Sequence, residues 1–530
     1  MRYGFTTGEQ IVKNFVSMLV LSVSIIAVLS TGDVSGHGGY AVPSNTVLRD
    51  FGPRELSDPA EFANFETAHV HPLDISTDGT QLAVVNTPDG HVEIFNINAS
   101  TGNLTYSESI KVGMGPVTAR WRTASELWVV NQLSDSISVI DMTTSTVVRT
   151  IVTYKLDTVS GLLKGSPNGD EPADVVFATY DGGGGGNPYA FVSCSRTDII
   201  QLYDITGADS PNDVYGLRDE VYLQGEDPRS LATNGTNIYA AIFESGNSTT
   251  LIFGETGTGS LGHPRNTAGT NANNHTDHPY YIDGDNELGD SSIKAINPAP
   301  SDKVGPFTVV GGLGSYIAHG KTIPVANLMA STPPTTPPTT SIIVRKDFSD
   351  GDKWKDDNGV DWTRYISGDR ATESGRVADW DLLDNDIAIL SLTDLSETWA
   401  TRQMNICMAL NISPSTGNVY MVGIESTNEI RFEPNLTGTF VRVMLSVTSS
   451  TGTQIALIDL NEDHLDTAQG GTGLAYSDGN VSPADRDKSI GDPRGVAFTP
   501  DGATVYISGM GSDNVIALNT STNARYSEGH

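Results

Sequence analysis

A short unit built around a Gly-containing turn recurs along this chain of 530 residues. One copy runs from Gly491 to Thr522 (GDPRGVAFTPDGATVYISGMGSDNVIALNTST), and a similar copy runs from Val70 to Gly102. In each copy a short run leads into a tight turn, a second run ends in Asn or Gly, and a third, alternating run follows a polar turn. Runs of this length predict antiparallel strands rather than helices.

Further copies predict how these units assemble. They lie at Gly115–Val148, Glu171–Ile205, Glu226–Ile252 and Met408–Glu433. Three antiparallel strands cannot bury both faces of their sheet alone, so neighbouring copies must stack. A period of about 40 residues with several strands per copy is typical of a β-propeller, in which such sheets are arranged radially. The rival architecture, an array of β-sandwiches, would need more even spacing and self-contained cores.

We therefore predict an all-β fold, a β-propeller with seven blades and a long irregular insertion between blades 4 and 5. Residues 37–255 would hold an N-terminal clasp strand and blades 1–4, residues 256–340 a Gly-, Asn- and Pro-rich insertion, and residues 341–530 blades 5–7. Ser341 to Arg402 is interpreted as an irregular fifth blade.

The last copy predicts how the ring closes. It contains three strands, so Asn45–Phe51 is expected to pair with Asn514–Thr520 and supply the missing outer strand. The alternative is a chain that continues beyond His530 into an eighth blade.

The first 36 residues predict export. Arg2 and Lys13 precede an uncharged apolar run over residues 15–30, and a small, polar stretch follows it. This order is typical of a signal peptide, here residues 1–36, and the run is shorter than the roughly 20 residues of a membrane span. We expect a secreted, cell-surface or periplasmic protein, with an uncleaved N-terminal anchor as the alternative.

Charge excludes some partners. The chain has 31 Lys and Arg against 64 Asp and Glu, a formal net charge of −33. Nucleic acids and anionic membranes need a basic surface, so neither is predicted as a partner. An acidic surface suits a soluble protein, or one that meets divalent cations or basic partners.

The repeat residues also carry a resemblance. The stretches LAVVN, LWVVN, VYISG and VYMVG, followed by strands such as SISVID, resemble the YVTN-repeat β-propeller family. That group includes lactonase-like propellers and bacterial and archaeal surface proteins. Residues 375–436 further resemble large exported YVTN propellers, some of which carry c-type haem motifs after the propeller. The resemblance implies a fold more strongly than an activity.

One loop in the insertion is a candidate metal site. Its carboxylates alternate around a glycine, as a hard cation such as Ca²⁺ prefers. The loop lacks EF-hand spacing, so an exposed acidic loop is the competing interpretation. The candidate ligands are Asp283, Asp285, Glu287 and Asp290.

Histidines and cysteines give weaker signals. His263, His275 and His278 lie in the insertion and are interpreted as solvated. His69 and His71 alternate in a strand and are given a structural role, because the His71-Pro72 pair matches Asp492-Pro493. Cys194 and Cys407 each sit in an apolar run and are predicted to be separate buried thiols.

Motifs with established chemistry are absent from the sequence. It contains no Cys-x-x-Cys-His, so no covalent haem is predicted, and no convincing nucleophile elbow, P-loop or dinucleotide fingerprint. The leading hypothesis is therefore an exported binding or structural module, and this role is favoured over an enzymatic one. Its ligand would be a protein, a glycan or another copy of itself. Two alternatives remain: a lactonase-like hydrolase using polar side chains at the propeller's central opening, and an accessory to a c-type cytochrome.

Overall fold

The computed structural model describes several stretches of the chain. They are residues 69–153, 155–156, 163–164, 170–182, 186–206, 217–252, 309–310, 315–318, 321–324, 342–355, 361–369, 371, 377–426, 441–461 and 488–526. The predicted signal peptide, the Asn45–Phe51 strand and the histidines and carboxylates of the insertion lie outside these residues.

Six antiparallel blade sheets form in the described residues, five with four strands and the last with three. Blade 1 contains β1 (Leu73–Ile75), β2 (Gln81–Asn86), β3 (His91–Ile97) and β4 (Leu104–Lys111). Blade 2 contains β5 (Pro116–Thr123), β6 (Glu126–Asn131), β7 (Ser136–Asp141) and β8 (Thr146–Val152). The short pair β9 (Lys155–Leu156) and β10 (Leu163–Lys164) follows. Blade 3 contains β11 (Pro172–Tyr180), β12 (Asn187–Cys194), β13 (Ile199–Asp204) and β14 (Leu217–Tyr222).

The later blades complete the series. Blade 4 contains β15 (Glu226–Thr233), β16 (Asn237–Glu244), β23 (Asn385–Ser391) and β24 (Glu397–Thr401). Between its halves lie β17 (Thr249–Ile252), β18 (Val309–Val310), β19 (Ser315–Ala318), β20 (Lys321–Pro324), β21 (Ile342–Asp347), β22 (Lys353–Lys355) and the helix α1 (Thr363–Ile366). Blade 5 contains β25 (Ile406–Ile412), β26 (Val419–Ser426), β27 (Val441–Thr448) and β28 (Gln454–Asp459). Blade 6 contains β29 (Pro493–Phe498), β30 (Thr504–Gly509) and β31 (Asn514–Asn519).

The hydrophobic core lies between blades rather than within them. One cluster joins Trp128 of blade 2 to Val175 of blade 3, and another joins Tyr420 of blade 5 to Val505 of blade 6. The inner strands β1, β5, β11, β15, β25 and β29 contact one another in this order. Stacked sheets with their first strands side by side make a propeller, which confirms the predicted fold class.

The two ends of the series have separate clusters. Leu73, Leu82 and Val84 of blade 1 pack together, as do Tyr506 and Ala517 of blade 6. In the part of the chain that the structure describes, neither cluster is shared with a neighbouring blade. These two apolar faces are where a further blade of the predicted ring would pack.

The insertion lies inside blade 4, whereas the sequence interpretation placed it between blades 4 and 5. Strand β16 pairs with β23, with Ala240 opposite Ala388. The residues assigned to an irregular fifth blade therefore divide: β23 and β24 complete blade 4, while β21 and β22 form a separate sheet with β17. Spacing along the chain could not reveal this, because the third strand of the blade returns only after the whole insertion.

Two hydrogen bonds, one buried and one partly buried, join the two ends of the insertion. Ser245 Oγ, where the chain leaves β16, donates to Asp386 Oδ1 over 2.9 Å, where the chain returns in β23. Ser248 Oγ donates to Asp384 Oδ2 beside it. Burial, with the nearby Asp384 charge, raises the pKa of Asp386 well above its ordinary value. The insertion thus leaves and rejoins the ring at one place.

The outer edge of the last strand is covered by the chain itself. Tyr526 N–H donates to Ala517 O over 2.9 Å, and Asn519 N–H donates to Ala524 O over the same distance. The predicted partner, Asn45–Phe51, lies outside the described residues. Among the described residues, no helix has both the length and the apolar character needed to cross a bilayer.

Gly423 in β26 provides a test of blade 5. A Cβ on this residue would lie 1.9 Å from Ile406 O, a backbone atom that cannot move alone. We expect Gly423→Ala to lower the free energy of unfolding by about 1–3 kcal/mol, the usual cost of overpacking. Gly491→Ala is the control, since a Cβ there meets nothing closer than 3.7 Å. Urea titration of both variants measures the difference, and equal stabilities would contradict the close strand approach.

Candidate active site

A cavity of 260 Å³ lies at the centre of the propeller. Five of the residues that line it occupy the same register position on their inner strands, opposite Ala83, Trp128, Phe191, Tyr239 and Tyr420 of the second strands. They are Asp74, Arg120, Val176, Ala232 and Asn411. Each of blades 1–5 thus directs one equivalent position to the cavity, and blades 1 and 2 supply the charged ones.

Asp174 of β11 is a fully buried carboxylate below this cavity. Its Oδ1 accepts from Val175 N–H over 2.9 Å, and its Oδ2 accepts from Leu231 N–H over 2.7 Å. Burial alone would raise the pKa of Asp174, but the Arg120 and His71 charges outweigh it and hold that pKa below its ordinary value. Asp174 is therefore ionised at neutral pH.

Arg120 joins three blades through its guanidinium. Its Nε donates to Asp174 Oδ1 and its Nη2 to Asp174 Oδ2, each over 3.3 Å. Nη2 also donates to Leu231 O over 3.2 Å. Burial works against its charge, yet Asp174 and Asp74 raise the pKa of Arg120, so the ion pair is kept. The residue from blade 2 thereby holds the inner strands of blades 3 and 4 together.

His71 is hydrogen-bonded to the Asp174 carboxylate through one ring nitrogen. Its Nδ1 lies 2.7 Å from Asp174 Oδ2 and 2.8 Å from Arg120 Nη2. An ionised carboxylate only accepts, so Nδ1 must carry a proton and donate it to Asp174. Arg120 Nη2 then uses its hydrogens on Asp174 and Leu231. His71 lines the cavity, and in the described residues its Nε2 has no hydrogen-bond partner, which makes Nε2 a proton acceptor in the neutral ring.

Asp74 contributes a second carboxyl group to the cavity wall. Its Oδ1 accepts from Ile75 N–H over 3.0 Å, and its Oδ2 accepts from Trp121 N–H over 2.8 Å. These donors belong to two blades and fix the orientation of the group. Burial raises the pKa of Asp74, although Arg120 opposes that shift. The cavity thus combines an ionised carboxylate and a carboxyl whose proton is held more tightly than usual.

His69 has the structural contacts expected of it, and His71 also joins blades, since its backbone N–H donates to Thr118 Oγ1 over 3.1 Å while its ring lines the cavity. His69 Nε2 lies 2.6 Å from Thr87 Oγ1, whose own hydrogen goes to Pro116 O over 2.6 Å. Thr87 must therefore accept, and the His69 ring donates from Nε2. This chain of hydrogen bonds links blades 1 and 2, and His69 does not line the cavity.

Aligning Pro72 with Pro493 matches His71 with Asp492 and does not reveal that His71 lines the cavity. Blade 6 has a register shift between Pro493 and Gly495, whereas β1 pairs with β2 without one. Aligning the copies on their turns, Asp78-Gly79 with Asp501-Gly502, places His71 opposite Arg494 and Asp74 opposite Ala497. No sequence pattern groups His71, Asp74, Arg120 and Asp174. The position of the turns in each copy is the signal that identifies the cavity-facing position of the inner strands.

His69 gives the fold a pH dependence. Burial, reinforced by the Arg494 charge, lowers the pKa of His69 to about 4, from 6.5 for an ordinary histidine. Between pH 6.5 and pH 4, His69 is therefore mostly protonated in the unfolded chain and mostly neutral in the folded chain. We expect this residue to cost up to about 3 kcal/mol of stability across that window, and nothing above it.

The measurement is urea unfolding at pH 7.5 and pH 4.5. His69→Gln keeps an N–H donor for Thr87 but does not titrate, so its stability should fall less on acidification than that of the wild type. Identical pH dependence in both proteins would show that His69 is not responsible.

The other predicted sites have different outcomes. Asp283, Asp285, Glu287 and Asp290 lie outside the described residues, and within the described part no group of three or more His, Cys, Asp and Glu side chains could hold a metal ion. Cys194 and Cys407 are buried free thiols, as predicted. Burial raises the pKa of both well above the ordinary thiol value, so neither is a ready nucleophile.

Comparison with known proteins points to one family description. A family model described as "Lactonase, 7-bladed beta-propeller" matches residues 42–273. That range contains blades 1–3 and the first hairpin of blade 4, and with them His71, Asp74, Arg120 and Asp174. No curated protein sequence matches the chain.

Solved structures match over most of the chain at low identity. Kuenenia stuttgartiensis hydrazine synthase is 13% identical, with a TM-score of 0.42, covering 87% of this chain and 80% of the other. A putative 6-phosphogluconolactonase of Bacteroides fragilis is 10% identical, with a TM-score of 0.39 and coverages of 86% and 81%. The periplasmic gluconolactonase of Pseudomonas aeruginosa is 12% identical, with a TM-score of 0.37 and coverages of 86% and 82%. The described blades make the chain a β-propeller, and its residues 42–273 are similar to the lactonase seven-bladed propeller family.

Proposed function

We propose that this protein is a hydrolase that opens lactones in the cavity at the centre of its propeller. The observation that carries the proposal is the His71–Asp174 pair: an ionised, buried carboxylate holds a proton on Nδ1, and among the described residues nothing is hydrogen-bonded to Nε2 at the cavity wall. A histidine oriented in this way acts as a general base towards water. The similarity of residues 42–273 to a lactonase model supports the same reaction class.

The chemistry follows from these groups. His71 Nε2 takes a proton from water, and the resulting hydroxide forms a bond to the lactone carbonyl carbon. Asp174 stabilises the imidazolium that forms, since the two charges lie 2.7 Å apart in a buried site. Collapse of the tetrahedral intermediate breaks the bond between the carbonyl carbon and the ring oxygen, and the product is a hydroxy acid.

This proposal reverses the order of the sequence hypotheses. The leading interpretation was an exported binding or structural module, with a protein or glycan as its ligand. The buried Arg120–Asp174 pair holds blades together under either interpretation. The hydrolase interpretation also gives a use to the His71 ring, which lines the cavity beside that pair. The signal-like residues 1–36 support action outside the cytoplasm.

Proton release from uncharged lactones tests the proposal. The full chain is added to δ-valerolactone and D-glucono-1,5-lactone in a pH-stat at pH 7, and the uncatalysed rate is subtracted. We expect a rate that is proportional to protein concentration and saturates with substrate. If both lactones are hydrolysed no faster with folded protein than in buffer alone, the hydrolase proposal is wrong and the binding module is again the leading hypothesis.

A further inference from the structure

A hydrolase that opens a lactone must deal with the leaving oxygen as well as the attacking water. The ring oxygen leaves as an alkoxide unless a proton reaches it, and alkoxides are far more basic than any group in the cavity. His71 is occupied in taking a proton from water. Asp174 is fully buried, ionised and hydrogen-bonded to four residues, so it has no proton to give.

Among the described residues, Asp74 is the carboxyl group that lines the cavity together with His71. It occupies the register position in β1 that Arg120 occupies in the neighbouring β5. Backbone N–H groups of Ile75 and Trp121 hold its two oxygens in place. A protonated carboxyl fixed in this way still has its O–H to donate. Burial raises the pKa of Asp74, which extends the pH range over which that proton is present.

We propose that the Asp74 carboxyl protonates the ring oxygen as the lactone opens. The inference rests on the proposed hydrolase function and adds a second catalytic residue to it. The carbon–oxygen bond breaks, its electron pair remains on the ring oxygen, and that oxygen takes the Asp74 proton to become a hydroxyl group. The proton that His71 took from water then restores the Asp74 carboxyl, so lactone and water become one hydroxy acid with nothing left over.

Two lactones that differ in their leaving group separate this role from a structural one. When δ-valerolactone opens, its ring oxygen leaves as an alkoxide. When dihydrocoumarin opens, its ring oxygen leaves as a phenoxide, whose conjugate acid has a pKa of about 10, as for tyrosine. The phenoxide needs no proton in order to leave. Asp74→Asn should therefore lower kcat/KM for δ-valerolactone by about 100-fold and for dihydrocoumarin by less than about threefold.

Two controls make the comparison sharp. Asp89→Asn changes a carboxyl on the same blade, outside the cavity lining, and should leave both rates unchanged. His71→Asn should lower both rates together. If Asp74→Asn does not fold, Asp74→Ser, which still offers an oxygen to the backbone N–H groups, replaces it.

The outcomes are distinct. A loss confined to δ-valerolactone supports the proton-donor role. Equal losses on both lactones in a folded variant, or no loss on either, overturn it while leaving the hydrolase in place. A wild-type protein that hydrolyses neither lactone overturns the proposed function itself.

Discussion

A His71→Asn variant is expected to lose between about 100-fold and 10,000-fold of the lactone hydrolysis of the wild type, the usual contribution of a general base. The Asn side chain places an N–H close to the position of the imidazole Nδ1, so the hydrogen bond to Asp174 is kept. What disappears is the second ring nitrogen, which is the proposed proton acceptor. The loss should fall on kcat, because His71 acts on the attacking water in the transition state.

The control for this variant lies on the same blade. His91 has its Nδ1 2.7 Å from Asp89 O and does not line the cavity, so His91→Asn should keep the wild-type rate. Both variants are measured by pH-stat on δ-valerolactone, with circular dichroism to show that each is folded. A folded His71→Asn protein with the wild-type rate would mean that another group activates water.

An Asp174→Ala variant is expected to lose about 3–5 kcal/mol of stability, the usual effect of removing one partner of a buried ion pair. The substitution leaves the Arg120 guanidinium without its carboxylate and two backbone N–H groups, those of Val175 and Leu231, without their acceptors. Each unsatisfied buried donor adds to the cost. A domain of ordinary stability has only about 5–15 kcal/mol in total, so the variant should unfold at much lower urea concentrations.

A double-mutant cycle shows whether the charge itself is responsible. Arg120→Met alone also leaves a buried charge without its partner, whereas the double variant removes both charges. We expect the double variant to be less destabilised than the sum of the single ones by about 1–3 kcal/mol. Asp350→Ala is the control: Asp350 pairs with Lys353 at the surface, and such a pair contributes about 1 kcal/mol or less. Simple additivity at Asp174 and Arg120 would contradict the buried ion pair.

The sequence predicts most strands of this fold because each depends on local signals. The runs ELWVVN and SISVID, separated by a polar turn, become β6 and β7, with Trp128 opposite Val139. Apolar alternation and turn residues suffice for such a hairpin. The pairing of β16 with β23 has no local signal, because a strand edge can accept any strand of suitable pattern. That is why blade 4 was divided in two.

The candidate site was harder to predict than the fold. Its residues come one at a time from different blades, and each looks ordinary in its own copy: Asp74 and Asp174 each follow a proline by two positions, as a structural repeat residue would. They converge only because blades stack in a ring and one register position faces the centre. The shift in register between β1 and the other inner strands then moves His71 to a place that a proline-based alignment conceals.

The divided blade 4 also dictates an order of events during synthesis. The residues of β16 that pair with β23, 237–241, leave the ribosome before their partners in Asn385–Ser391, which emerge only after the insertion. Bringing such distant segments together costs chain entropy, which increases only with the logarithm of the separation. The cost is therefore tolerable at equilibrium, but the delay leaves an apolar strand edge open to wrong partners. We therefore expect blade 4 to be completed later than blades 1–3, although its first two strands are made before the insertion.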